Sequence, residues 1–255
     1  MQIKDITLAI LVKDKSKELP LFLECISNQS YPKEYINLYI RSNNNSDNSI
    51  EILDNWILKN QKFYKSVYKD YSPANIDITK YKNHEWNSKR FLVLGKIREE
   101  SIKYAMIKKS NYFVVDVDNF ICSKILENLY NSNLPIIGPY LKEHNSYYSN
   151  YHNIVDNNGY FKNNEDYYKI YDQSIKGLIN VDVIHCTYYI QYQFLEKMKY
   201  LDETNRHEYV IFSENCRKQN IQQYLDNRKI YGYISFDENP DLNYYRELLS
   251  KIERS

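Results

Sequence analysis

Apolar residues in the first half of the chain fall into runs that alternate between two spacings. Ile6–Val12 is almost continuously apolar, which is typical of a strand buried on both faces of a parallel sheet. Leu19–Asn28 has apolar residues at helical spacing, and the stretch SYPKEY ends that helix. The alternation continues with a strand over Ile36–Ser42, a helix over Ser49–Leu58, a weaker strand near Lys65–Tyr68 and a helix over Lys89–Lys108. This order predicts an α/β fold with a parallel, doubly wound sheet.

The most apolar predicted strand, within YFVVDVDNFI (Tyr112–Ile121), runs into two aspartates, Asp116 and Asp118. Residues two apart on an extended chain share a face, so both carboxylates point into the same space. Burying such charges is costly unless they are paired or bound to a metal. Hard oxygen ligands of this kind suit Mg²⁺ or Mn²⁺. The alternative is a solvated strand end with helix-capping acids, and the motif by itself does not decide between the two.

The second half of the chain is less regular. Its patterns predict a strand over Pro135–Leu141, mixed loops and hairpins over Ser146–Tyr171, a strand pair over Asn180–Ile190, a helix over Glu208–Lys218, a strand over Lys229–Ser235 and a helix over Asn239–Glu253. The polar segment Asp70–Ser88 is expected to be a surface loop. No internal repeat or linker is evident, so we expect one domain over residues 1–238, with halves 1–121 and 122–238, followed by a closing helix over 239–255.

Composition excludes several classes of protein. A formal net charge of +1 without a basic run argues against a nucleic-acid partner. The 4 cysteines are dispersed, which argues against a disulfide framework or a zinc site. The N-terminal apolar run is too short for a signal-peptide core or a membrane span, so we expect a cytoplasmic protein without membrane attachment. The 28 tyrosines are interpreted first as a bias toward AT-rich codons and only then as a functional feature. A tyrosine-rich second half could also supply the surface of a homodimer.

Other polar residues near the predicted strand ends have two interpretations each. Asn43–Asp47 has the side chains to contact a base or ribose, but a turn is the commoner use of Asn and Asp. Arg98, on the helix before the Asp-x-Asp strand, either reaches a phosphate or solvates a helix face. His185 in an apolar strand is more often a core residue than a ligand. Glu208 begins a helix, either as a general base or as an acid favoured by the helix dipole.

An ordered set of segments resembles the collagen hydroxylysine glycosyltransferases. These are the N-terminal domain of procollagen galactosyltransferases and a glycosyltransferase-like domain of the lysyl hydroxylases. The similarity runs from about Ile6 to Ile234. It is carried by LAILVKD, QSYPKEYINLYIRSNNNSDNS, EWNSKR, YFVVDVDNF, LPIIGPYL, YYSNY, VIHCTYY and YGY. Composition and the missing signal segment suggest a giant-virus member of this family.

The resemblance implies a GT-A fold with a nucleotide-sugar half followed by an acceptor half. It implies that Asp116 and Asp118 hold Mn²⁺ or Mg²⁺ and that Asp118 and Glu208 are the catalytic carboxylates. The residues expected to bind the UDP-sugar are Val12, Lys13, Asn43, Asn44, Asn45, Trp86, Arg98, Asp116 and Val117. Those expected around the sugars are Ser149, Asn150, His185 and Lys229.

The chain also departs from the family pattern. Relatives often have an Asp-Asp pair where this chain has His207 and Glu208, and a His where it has Lys229. The third protein ligand of the metal is therefore open, and Lys229 is instead a candidate point charge for the diphosphate.

The implied function is metal-dependent transfer of a hexose to a collagen-like polypeptide, and glucose onto galactosylhydroxylysine is favoured. The alternatives are galactose transfer to hydroxylysine, a catalytically silent sugar- or collagen-binding module, and a family-2-like transferase directed at lipid or polysaccharide.

Overall fold

The computed structural model describes residues 4–74 and 87–254. The first half alternates strands and helices, as the sequence predicts. Its elements are β1 Ile6–Val12, α1 Leu19–Ser27, β2 Ile36–Ser42, α2 Ser49–Asn60, β3 Ser66–Asp70, α3 Ser88–Ile107 and β4 Asn111–Asp116. Strands β3, β2, β1 and β4 lie side by side in that order, and all three pairings are parallel. The predicted parallel, doubly wound arrangement is confirmed for this half.

The second half is built from shorter elements. They are β5 Asn119–Ile121, α4 Ile125–Asn131, β6 Ile136–Pro139, β7 Leu141–Glu143, β8 Tyr151–His152, α5 Glu165–Tyr171, β9 Leu178–Val181, β10 Val183–Ile184, β11 Thr187–Ile190, α6 Glu208–Lys218, β12 Gln223–Asp226, β13 Gly232–Ile234 and α7 Leu242–Arg254. Strands β11, β6, β12 and β9 extend the main sheet beyond β4. Because β11 is antiparallel to both β4 and β6, the complete eight-stranded sheet is mixed.

Two predictions for the second half were too coarse. The segment predicted as loops and hairpins contains helix α5, which begins where the Asn164 side chain accepts a hydrogen bond from the main-chain N–H of Tyr167. Tyr167, Ile170 and Tyr171 form its buried face. The apolar residues therefore have helical spacing, but two of these three positions are tyrosines, which are a weaker signal of burial than aliphatic residues. Strand β12, the short sequence QYLD, was not predicted because four residues carry too little pattern.

A smaller sheet of β5, β13 and β7 lies beside the main one, and its strand β5 directly follows Asp118 in the chain. Gly232 makes this packing feasible, because a Cβ atom there would stand 2.2 Å from the carbonyl oxygen of Phe120. In the same ladder Ser235 donates its main-chain N–H to the carbonyl of Asp118 at 2.9 Å. The carboxylate-bearing turn is thus fixed by strands on both of its sides.

Candidate active site at the carboxyl ends of the parallel strands

The carboxyl ends of β1, β2 and β4 meet at one edge of the sheet. The register places Val12 beside Ser42 and Leu11 beside Asp116. The polar residues that follow these strands, including Lys13 and Asn43, therefore converge on the edge where ligands bind in open α/β sheets. The sequence predicted this convergence from the strand order alone.

The loops after β1 and β2 are joined by hydrogen bonds. Asp14, at φ 51°, donates its main-chain N–H to Oδ1 of Asn45 at 2.9 Å and accepts from the N–H of Ser46 at 2.6 Å. Asp47 accepts from the N–H of Ser16 at 2.8 Å. Burial alone would raise the pKa of Asp47, but hydrogen bonds from Ser49 and Ser16 outweigh it and lower that pKa. These hydrogen bonds therefore hold the two loops against each other.

One carboxylate of the Asp-x-Asp pair belongs to a buried ion cluster of Arg98, Asp116 and Glu208. Nη2 of Arg98 lies 3.0 Å and 3.2 Å from the two Asp116 oxygens, and its Nε lies 3.5 Å from Oε1 of Glu208. The Arg98 and Glu208 side chains are 4% and 6% exposed, whereas that of Asp116 is 27% exposed, and the cluster is called buried after the first two. Burial raises the pKa of Glu208, against the effect of the Arg98 guanidinium. One cation on α3 thus joins a carboxylate of the first half to one of the second.

The other carboxylate belongs to an outer ion cluster of Lys15, Glu18 and Asp118. Nζ of Lys15 lies 3.1 Å from Oδ2 of Asp118 and 3.0 Å from Oε1 of Glu18. The side chains of Lys15 and Asp118 are each 23% exposed. Burial alone would lower the pKa of Lys15, but Asp118 and Glu18 outweigh it and raise that pKa. Neither Lys15 nor Glu18 was singled out from the sequence.

The donor chemistry of the two clusters fits a divalent cation shared with a phosphorylated ligand. Their four carboxylates and two cations leave two negative charges when all are ionised. Within residues 4–74 and 87–254, however, no three His, Cys, Asp or Glu side chains are arranged to hold a metal ion by themselves. Magnesium-type sites commonly use one or two carboxylates plus substrate phosphates. Asp116 and Asp118 fit that kind of shared site, and a third protein ligand is not found in the described part of the chain.

Cys186 and His185 lie just before β11, where Cys186 contacts Asp116. Cys186 has φ 62°, a conformation that costs a non-glycine residue about 1 kcal/mol or more. In this bend its carbonyl accepts the main-chain N–H of Asp116 at 3.1 Å, and its thiol bonds the Asp116 carboxylate. Sγ of Cys186 also lies 2.8 Å from Nδ1 of His185. Cys186 was not predicted as a site residue, because a positive φ cannot be inferred from the sequence for a cysteine.

An aromatic wall, defined as Tyr148, His152, His185, Tyr209 and Phe236, extends from the carboxylates into the second half. The ring centroids of His152, His185 and Tyr209 are between 5.2 and 5.7 Å apart, and Tyr148 contacts both His185 and Phe236. Burial lowers the pKa of His152 to about 4 and also lowers the pKa of His185 well below its usual value, so both imidazoles are neutral near pH 7. Among the described groups, Nε2 of His185 and Nδ1 of His152 have no hydrogen-bond partner.

Several residues that were predicted to contact the ligand are buried and bonded to other parts of the protein. Arg98, expected at the diphosphate, is buried and occupied by two carboxylates. Ser149 and Asn150, expected around the sugars, are fully buried and bond the main chain of Leu141 and its neighbours. Asn150 also accepts the main-chain N–H of His185 at 3.1 Å. These three residues position others rather than reaching the open edge.

Lys229 is not brought to the site. Its Nζ lies 5.2 Å from the ring centroid of Tyr231, and Tyr231 pairs with Cys122, at the end of the small ladder that is remote from Asp118. Lys229 was expected at the site because relatives have a His at this position just before the aromatic-Gly motif, and that match does not give the strand register.

The remaining candidates lie at the ligand-binding edge, except for one that is outside the described residues. Lys13 is hydrogen-bonded to Asp14, and Asn43 is buried at the end of β2. Oδ1 of Asn44 accepts the main-chain N–H of Ala74 at 2.7 Å, and Val117 is buried between the two carboxylates. Trp86 lies outside the described residues, as does most of the predicted loop Asp70–Ser88.

Comparison with known proteins agrees with the geometry. The family described as glycosyltransferase family 25, N-terminal domain, matches residues 4–248. Procollagen galactosyltransferase 2 of Homo sapiens is 28% identical over 253 residues, which cover 94% of this chain and 40% of that protein. A glycosyltransferase 25 family member of Anopheles gambiae is 27% identical over 246 residues, covering 91% of this chain and 41% of that protein. The chain therefore spans about two-fifths of the length of these relatives.

Solved structures with low sequence identity share the fold. S. aureus TarS 1–349 in complex with UDP-GlcNAc has a TM-score of 0.60 at 12% identity, covering 98% of this chain and 64% of that one. The mannosyltransferase PcManGT from Pyrobaculum calidifontis, in complex with GDP-Man and Mn²⁺, has a TM-score of 0.55 at 7% identity, covering 95% and 59%. The expected GT-A fold is confirmed. No helix among the described residues is long and apolar enough to cross a bilayer.

Proposed function

The chain belongs to glycosyltransferase family 25, and we propose that it transfers a hexose from a UDP-sugar to hydroxylysine-linked sites of a collagen-like polypeptide. The observation that carries this proposal is the pair of carboxylates, Asp116 and Asp118, at the ligand-binding edge of a GT-A sheet with two negative charges in excess. The procollagen galactosyltransferases that it resembles supply the acceptor class.

In this proposal Asp116 and Asp118 hold Mn²⁺ or Mg²⁺ together with the diphosphate of the donor. When bound by these two carboxylates, such an ion would supply positive charge to stabilise the UDP leaving group. Arg98 fixes the Asp116 carboxylate from behind, so that this oxygen pair keeps its orientation when a ligand arrives. Val12, Lys13 and Asn43–Asn45, at the ends of β1 and β2, provide the surface for uridine. The aromatic wall provides apolar faces for the sugars and limits the access of water.

Glucose transfer to galactosylhydroxylysine is the leading form of the proposal. The α-linkage formed in that reaction implies retention, for which no general base is required. This agrees with the ion pair that ties Glu208 to Arg98 within a buried cluster. The chain is also altered at His207-Glu208, where the galactosyltransferases often have an Asp-Asp pair, so it need not catalyse their step.

A second form, galactose transfer to hydroxylysine, is favoured by one observation. Burial raises the pKa of Glu208, which makes its carboxylate a stronger base. Among the described groups its Oε2 has no hydrogen-bond partner. In an inverting reaction Oε2 would accept the proton of the attacking hydroxyl.

The test is release of UDP by the purified protein with Mn²⁺, comparing UDP-glucose with UDP-galactose, each with and without a galactosylhydroxylysine or hydroxylysine peptide. Release that one acceptor stimulates from one donor supports the proposal and identifies the sugar. Release without stimulation supports the donor site and favours a lipid- or polysaccharide-directed enzyme. No release from either donor by a folded protein favours the silent binding module.

The variant Asp118→Asn tests the metal-binding role of this carboxylate, and Asp54→Asn is its control. Asp118→Asn removes a negative charge proposed to bind the metal, so kcat/KM is expected to fall at least about 10- to 100-fold. Replacing a residue that only hydrogen-bonds a metal ligand already causes a loss of that size. Asp54 is a half-exposed carboxylate of α2 paired with Lys69, and its replacement is expected to leave turnover unchanged. Wild-type turnover in Asp118→Asn would remove the metal role of this carboxylate.

A further inference from the structure

The open edge contains one cation that the sequence patterns did not identify. Lys15 follows β1, and its ammonium lies between Asp118 at 3.1 Å and Glu18 at 3.0 Å. Its main-chain N–H donates to Oγ of Ser49 at 2.9 Å, so the start of the side chain is fixed by the braced loops. The side chain itself is 23% exposed and carries four flexible methylene groups. The main chain of Lys15 is therefore fixed, while its side-chain ammonium can change position.

Two other cations near this edge, among the residues that the structure describes, are paired with carboxylates other than Asp118. Arg98 is 4% exposed, and breaking its buried pairs with Asp116 and Glu208 would leave uncompensated charges. Lys13 bonds the neighbouring Asp14. Lys15 differs because the carboxylate it contacts, Asp118, is the one that a metal ion would also bind.

We propose that Lys15 exchanges Asp118 for a phosphate oxygen of the nucleotide when the metal ion takes Asp118. This inference rests on the proposed function. A divalent cation on Asp118 repels the ammonium, while Glu18 keeps the ammonium near the site. The incoming diphosphate then offers oxygens to the three N–H donors that Lys15 can redirect. In the absence of nucleotide the same ammonium competes with the metal ion for Asp118.

The proposal predicts opposite effects of one substitution on two ligands, both measured by titration calorimetry without turnover. In Lys15→Met the competitor is lost, so Mn²⁺ alone is expected to bind about two- to fivefold more tightly, the range of an exposed ion pair. UDP in the presence of saturating Mn²⁺ is expected to bind about tenfold or more weakly, because a charge-assisted hydrogen bond is lost.

Two further variants separate this role from a general effect of charge or folding. Lys17→Met removes a lysine two positions along the same loop, which is exposed and bonds the carbonyl of Glu238 and Oδ1 of Asn239. It is expected to change neither affinity. Lys15→Arg keeps the charge and is expected to retain UDP binding within about threefold, a change of less than ~1 kcal/mol. Thermal unfolding of each variant confirms that the fold is retained.

The outcomes distinguish this inference from the proposed function. If the wild type does not bind UDP with Mn²⁺, the donor site is wrong and the inference is overturned with it. If the wild type binds UDP and Lys15→Met binds it equally well, the donor site stands and the role of Lys15 is overturned. Weaker binding of both ligands would also overturn the exchange, because it indicates a merely structural lysine.

Discussion

The two ion clusters at the strand ends have the same composition but different surroundings. Each contains one cation, one carboxylate of the Asp-x-Asp turn and one acid at the start of a helix: Glu18 directly precedes α1, and Glu208 is the first residue of α6. The two aspartates are similarly exposed, Asp116 at 27% and Asp118 at 23%, and both glutamates are buried. The clusters differ in their cation, because the Arg98 side chain is withdrawn from solvent whereas that of Lys15 is partly exposed.

This difference separates a fixed carboxylate from an exchangeable one. Removing one partner of a buried ion pair leaves an unpaired charge in a medium that solvates it poorly. An exposed pair gains little from contact, because water and salt compensate for its loss. Asp116 is therefore held in place by Arg98, while Asp118 can change partner. Two aspartates that are equivalent in the sequence acquire different roles from their neighbours.

The largest expected effect comes from breaking the buried cluster. Arg98→Met leaves the Asp116 and Glu208 carboxylates without their cation, so the free energy of unfolding is expected to fall by about 3–5 kcal/mol. Urea-induced unfolding measures it. Arg246→Met is the control, because Arg246 forms an exposed pair with Glu24 and its loss is expected to cost less than about 1 kcal/mol. Equal, small losses in both variants would contradict the distinction between the clusters.

A second prediction concerns pH and a buried group without an acidic partner. Burial lowers the pKa of His152 to about 4, whereas the unfolded chain titrates near 6.5. As pH falls through 6.5 the unfolded state takes up a proton that the folded state does not, so stability falls until about pH 4. The loss is at most about 3 kcal/mol. His152→Gln is expected to remove this part of the acid sensitivity. Identical pH profiles for variant and wild type would show that His152 does not contribute.

A third prediction tests whether the loops of the open edge are braced independently of the clusters. Asp47→Ala removes acceptors for the main-chain N–H groups of Ser16 and Ser49, so the free energy of unfolding is expected to fall by about 1–2 kcal/mol. UDP binding is expected to weaken as well, because the loops lose their common conformation. Ser46→Ala serves as the comparison, since the main-chain N–H of residue 46 still donates to Asp14. A loss in Ser46→Ala as large as in Asp47→Ala would rule out specific bracing.

The smallest expected effect completes the comparison. Lys15→Met breaks the outer cluster, yet the free energy of unfolding is expected to change by less than about 1 kcal/mol, because the Lys15 ammonium and the Asp118 carboxylate are both partly exposed to water. Urea-induced unfolding beside Arg98→Met gives the contrast directly. A loss of several kcal/mol for Lys15→Met would mean that this cluster is as fixed as the buried one.

Much of the fold could be inferred from spacing alone. Continuous apolar runs identified β1, β2 and β4, and the helices between them required parallel pairing. The same logic placed Asp116 and Asp118 at the ligand edge. Helix α5 and strand β12 were missed because tyrosine-rich and very short segments carry weak periodicity.

The partners of the site residues were much harder to infer. Arg98 was expected at the phosphate, but which face of α3 is buried depends on how α6 packs against it. Lys229 was placed by analogy with a His of the relatives, and the strand register puts it at the end of the small ladder that is remote from Asp118. Cys186 and Lys15 gave no local signal at all.

By itself, the sequence determined which strands exist, where they end and which charged residues stand at those ends, because these are local properties of spacing and residue type. Only the tertiary structure decided which charges meet. Lys15 and Asp118 are 103 residues apart in the chain, and Arg98 and Glu208 come from different halves. Whether an ion pair is fixed or exchangeable depends on how much water surrounds it, and burial is a property of the packed molecule, not of the residues that form the pair.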